Sequence, residues 1–218
     1  DQRPGTRVAY VMTDGAALPL AMSDQVAQLR DDGLLCGTVT AGHAFGGDHE
    51  ALNVAAALAL SVDRLQAEIV IVAMGPGIAG TGTKLGFTGL EAAPALDAAA
   101  WLRAVPIACL RCSDGDERPR HQGISHHTLT VLDAVRSSVE VAVPPGVEPV
   151  DDRHRWHAID PPDPAAMLAR HGLRVTTMGR GPSEDPLYFS AAAAAGCLGV
   201  RLIDGVAGPE VAAAAIDE

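Results

Sequence analysis

The stretch PRHQGISHHTLT (119–130) sets imidazoles and guanidiniums beside a helix-initiating serine. Ser125 reads as the N-cap of a helix whose first turn carries His126 and His127. Adjacent helical side chains diverge by about 100°, so these two rings are not expected to address one atom. The positive end of a helix depresses a histidine pKa, and a neutral imidazole there can give or accept a proton. His126 is therefore the first candidate for proton transfer. Arg118, Arg120 and His121 precede it with groups that bind carboxylate or phosphate, and Arg120 is assigned to the ligand. Asp114, Asp116 and Glu117 lie close enough in sequence to neutralise those arginines.

A second polar cluster, GHAFGGDHE (42–50), holds His43, Asp48, His49 and Glu50. A His–Asp pair can do acid–base work, which makes His43 the second proton-transfer candidate. Asp48 can equally cap a helix starting near His49. Zinc-dependent hydrolysis using His43, Asp48 and His126 is a minor reading. No HExxH helix and no second CxxC are present, so no dedicated metal site is expected. A nucleophile elbow, GxSxG, is absent too.

The segment MGPGIAGTGT (74–83) follows the apolar run EIVIVA, and GPGIAG fits GxGxxG. The next helix is expected near Gly89 and not at Gly80, Pro76 lacks an amide donor, and no acidic residue ends a following strand. Gly77 and Gly82 have the spacing of a P-loop, but Thr83-Lys84 reverses its Lys-Ser/Thr order. Neither a dinucleotide nor a P-loop is supported. What remains is a looser anion nest, with Gly75, Gly77, Gly80, Thr81, Thr83 and Lys84 as binding residues. Asp14, in TDGAALP, binds a ligand hydroxyl or caps a helix. Arg180, in TMGRGPSED, reaches over a pocket or lies on a surface turn.

These residues fall between apolar runs that alternate with helical segments. Strands are expected at 7–12, 35–40, 68–74, 105–111, 139–143 and 173–178, with helices at about 17–32, 51–66, 89–103, 125–137, 163–171 and 185–204. The alternation predicts a single doubly wound α/β domain, a mainly parallel sheet with helices on both faces in a three-layer sandwich. IVIVAM suits a central strand covered on both sides. The proline-rich segment 144–164 crosses the surface, HAID within it forms a short strand at most, and 173–178 returns to the same sheet. The polar loops follow the strands' carboxyl ends, where open parallel sheets bind ligands.

A formal charge of −11 argues against a general nucleic-acid binder and against anionic membranes. Three Phe, two Tyr and two Trp leave Ala, Val and Leu to fill the core, which lets helices lie close to a sheet. Cys109 and Cys112 form a CxxC at a strand end, where thiols are expected to be ordinary and reduced. No stretch reads as long and clean enough to span a bilayer. The start, DQRPGTRVAY, has no signal-peptide layout and no initiator Met, so a fragment or processed product in the cytoplasm is expected.

Taken together, VAYVMTDGAALPLAMS, TVTAGHAFGGDHEALNV, GPGIAGTGTKLGFTG, RPRHQGISHHTLT and TMGRGPSEDPLYFSAAAAAG resemble an uncharacterised bacterial family, the domain of unknown function 3866. The resemblance covers nearly the whole chain; it implies that members carry an additional N-terminal β-rich portion before the first strand, which this sequence is expected to start without. It implies no activity, cofactor or catalytic residue. The leading functional expectation is an enzyme or enzyme-like domain for a small anionic metabolite, phosphorylated or carboxylated. The rival is a regulatory or assembly module that forms homo-oligomers through DPLYFSAAAAAGCLGVRL, the terminal helix.

Overall fold

The computed structural model describes residues 3–13, 18–75 and 77–205. Asp14 and Pro76 lie outside the described residues. The fold class is mixed α/β, as expected, and the chain forms two compact units that meet in sequence at Ala104 and Val105.

The first unit opens with β1 (Val8–Thr13), α1 (Asp24–Asp31), β2 (Gly37–Ala41), β3 (His49–Ala51), α2 (Val54–Asp63), β4 (Ile69–Met74) and α3 (Ala92–Trp101). All four strands are parallel, in the order β3-β2-β1-β4. β2 is buried along its whole length, and Val11, Val39 and Ala57 form the core between strands and α2. The small Ala57 side chain lets that helix approach the β-branched pair closely. Ser23 caps α1 and Asn53 caps α2, each accepting a first-turn amide.

Two expectations fail in this unit. IVIVAM is not a central strand: β4 lies at the edge of the described sheet, and Ile71 is 49% exposed. A continuous apolar run does not distinguish a covered strand from an edge strand whose partner lies far away in sequence. Nor does Asp48 cap a helix from His49, since residues 49–51 are β3. Its carboxylate instead accepts from the Thr38 amide at 2.9 Å and hydroxyl at 3.0 Å, and pairs with Arg30 at 2.7 Å. A partner ten residues upstream outcompetes the local cap.

The second unit contains β5 (Ile107–Ala108), β6 (Cys112–Ser113), β7 (Gly123–Ile124), α4 (His126–Ala134), β8 (Glu140–Val143), β9 (Arg155–Ala158), α5 (Pro164–Arg170) and α6 (Pro186–Gly205). β5, β8 and β9 form a parallel sheet in that order, while β6 and β7 pair antiparallel. The strands expected in one sheet are therefore shared between separate sheets. Ala142 of β8 packs with Ile159 and with Ala194, Cys197 and Leu198 of α6.

Residues 173–178 do not return as a strand. Thr177 and Arg180 exchange backbone hydrogen bonds of 2.8 and 2.9 Å around a turn in which Met178 and Gly179 have positive φ. Against expectation, α6 is long and apolar enough by length and composition to cross a membrane. Packing supplies another reason for its apolarity: Ala191, Ala194 and Leu198 are buried along one helical stripe.

Candidate functional site

Polar chemistry in the second unit concentrates on residues 111–128. Cys112 pairs with Ile124 and Ser113 with Gly123, which closes a loop over 114–122. The base is tied again where Ser125 N donates to Arg111 O at 2.8 Å and Arg111 N donates to Thr128 Oγ1 at 2.9 Å. These bonds fix the start of α4 beside the strand pair.

Asp116 organises the loop from within. Its buried carboxylate accepts from Arg118 Nε and Nη2 at 2.9 Å each, from Arg118 N at 3.0 Å and from Arg111 Nη2 at 3.1 Å. Arg180 reaches it at 3.4 Å and donates to Asp185 at 3.0 Å. The hydrogen bonds from Arg118, more than any other influence, hold the Asp116 carboxyl well below the usual carboxylate range. Arg180, expected over a pocket or on a surface turn, spans two buried carboxylates.

Past Arg118 the chain makes a 3-10 turn over Pro119–His121, with proline at its start. This turn delivers His121 into the interior, where it is 2% exposed and its Nδ1 lies 2.7 Å from Ser125 Oγ. Ser125 caps α4 as expected, its Oγ accepting from His127 N at 3.3 Å. The half-buried His126 and His127 follow.

The three rings meet. Centroids are 4.2 Å apart for His126 and His127, 5.0 Å for His121 and His126, and 5.1 Å for His121 and His127. One ring nitrogen from each lies within 4.8 Å of the other two. The expected divergence of His126 and His127 is thus overturned. Cα–Cβ bonds tilt toward a helix's N-terminus, and in the first turn no preceding turn blocks the rings from leaning over the end. Burial, then the charges of Arg111 and Arg118, hold His121 down to about 4. Burial, then His126 and Arg111, hold His127 down to about 4, and burial followed by Arg120 lowers His126. All three imidazoles are neutral at neutral pH, able to exchange protons or donate lone pairs.

The remaining expected site residues belong to the same turn or to the first unit. Arg120 is exposed on the 3-10 turn. His43, also exposed, belongs with Asp48 to the first unit, so the trio of His43, Asp48 and His126 is split between units. Gly75, Gly77, Gly80, Thr81, Thr83 and Lys84 lie in the loop after β4. That loop folds on itself: Thr81 N donates to Gly86 O at 2.7 Å and Thr88 N to Ala79 O at 2.8 Å. Gly77 and Gly82 have φ of 101° and 80°, a left-handed backbone that glycine adopts without strain.

Two clefts of about 480 and 310 Å³ in the second unit are lined around residues 143–150, and neither includes a histidine of the cluster. Glu148 borders both and disfavours an anion there. Charge points to the imidazoles and arginines, not to these two clefts.

The family described as "Protein of unknown function (DUF3866)" matches residues 1–196. The chain belongs to this family. No curated protein and no solved structure matched it. The sequence points to His126 and His43 for proton transfer and to His121 as an anion-binding neighbour, so the third ring of the cluster is unexpected. The available signal was the pattern His-x4-His-His with the capping serine inside it.

Proposed function

We propose that this DUF3866 chain is a small-molecule enzyme or enzyme-like domain whose chemistry takes place at the histidine cluster of the second unit, on an anionic, phosphorylated or carboxylated metabolite. One observation carries the reading: three neutral imidazoles converge at the start of α4, in the field of Arg111, Arg118 and Arg120. Positive charge around the neutral rings favours an anion. Arg111 Nη1 is buried without a hydrogen-bond partner, a spare donor in the same region. The thiols of Cys36, Cys109, Cys112 and Cys197 are all free, which suits a reducing cytoplasm.

A thermal-shift panel of phosphorylated and carboxylated metabolites tests the reading. A binder present at 100 times its Kd stabilises by about 2.7 kcal/mol, a shift of several degrees. Arg120→Ala and His126→Ala should abolish that shift, while His43→Ala should retain it. Equal shifts in all four proteins would reject the assignment.

A further inference from the structure

We propose that His121, His126 and His127 form a three-imidazole site for a divalent transition metal of the zinc class, with a further coordination position open to water or an anion. Three nitrogen donors within 4.8 Å of one another are already near a ligating arrangement. Tetrahedral ligands bound at about 2.0–2.1 Å stand roughly 3.4 Å apart. Small side-chain rotations close that difference, because two of the rings share a helical turn and the third is held against it. An all-nitrogen set suits zinc, copper, iron or nickel; calcium and magnesium take oxygen.

Ser125 supplies the outer-shell bond that such a site needs. With hydrogen on Nδ1 of His121, that nitrogen donates to Ser125 Oγ across 2.7 Å and Nε2 keeps its lone pair for the metal. The same Oγ has a second lone pair for the His127 amide. Ser125 is thus a positioning residue that selects a tautomer. Neutral ligands leave the ion's charge uncompensated, and no carboxylate belongs to the trio. Hydroxide or a substrate oxyanion is the favoured further ligand. Metal capture stands independently of the proposed metabolite class.

The test strips the full chain with chelator, then titrates it with Co²⁺ and displaces the cobalt with Zn²⁺. One cobalt per chain is expected, with the visible absorption of a low-coordinate ion. His126→Gln and His127→Gln should each weaken binding by more than about 100-fold, the upper end of what outer-shell partners cost. Ser125→Gly should weaken it by about 10–100-fold, and Ser125→Thr, which keeps the hydroxyl, should restore most of the affinity. His43→Ala should bind normally.

In the wild-type chain, Zn²⁺ should shift the imidazole nitrogen resonances of all three histidines, a readout that needs no variant. Absence of stoichiometric uptake, uptake surviving both glutamine variants, or shifts confined to other histidines would overturn the site. Metal binding lost in the variants without any metabolite effect would reject only the proposed function. The converse result would reject only the metal.

Discussion

The hydroxyl of Ser113 donates to Oδ2 of Asp185 at 2.7 Å, with both residues fully buried. The bond joins β6 to the residue just before α6. Asp185 also accepts from Asp114 N at 3.3 Å and from Arg180 Nε at 3.0 Å. Removing the carboxylate strands a buried hydroxyl and backbone amides, and leaves Arg180 only its longer contact to Asp116. Asp185→Ala is expected to cost about 3–5 kcal/mol, the range for breaking a buried ion pair from one side. Urea unfolding of the variant and the wild type measures it, and Ser113→Ala should cost less.

Asp116 predicts an acid limb. Its pKa is lowered in the folded state, chiefly by Arg118, so its contribution is complete above the unfolded value near 3.9. Stability should fall as pH drops through about 4 and continue to fall below it. Asp116→Asn should flatten this limb, because the variant has no carboxylate to protonate. Unfolding midpoints between about pH 2 and pH 7 provide the comparison.

Gly115 lies where a side chain has no room. A Cβ there would stand 2.5 Å from Glu184 O, a backbone atom that cannot swing aside. Gly115→Ala should destabilise by about 1–3 kcal/mol, as overpacking does. Gly146→Ala is a comparison of another kind: its Cβ meets nothing, but its φ of 86° charges a backbone strain. Losses of both sizes can be read from thermal unfolding.

Cys112 should be chemically silent in the folded chain. It is buried, and burial pushes its thiol up to about 12. Iodoacetamide at neutral pH should leave it unlabelled until denaturant is added, with peptide mass spectrometry reporting the site. Labelling at the rate of an unfolded thiol would contradict the packing around β6.

Features set by neighbouring residues were legible in the sequence. The Ser125 cap needs only a hydroxyl and an amide two residues on, and α4 begins where that pattern ends. The alternation of β-branched runs with Ala- and Leu-rich segments likewise revealed the α/β class. Features depending on distant partners were hidden. Asp48 chose Thr38 over its own helix start, and the edge position of β4 depends on which strand pairs with β1. The histidine cluster needed both kinds of information. Its helical half is local, but His121 arrives through a loop closed by a two-residue strand pair, for which no periodic pattern exists.

The loop over 114–122 has a consequence for how the imidazoles fail. The bonds described around Asp116 and Asp185 come from arginines, a serine and a backbone amide, and they shape the segment that carries His121 to its companions. A chain that loses either carboxylate can retain α4, its serine cap and His126 beside His127, and still have the third ring adrift. Such a protein would keep its helical spectrum and lose the three-ring arrangement, so a helical signal alone does not report on the cluster.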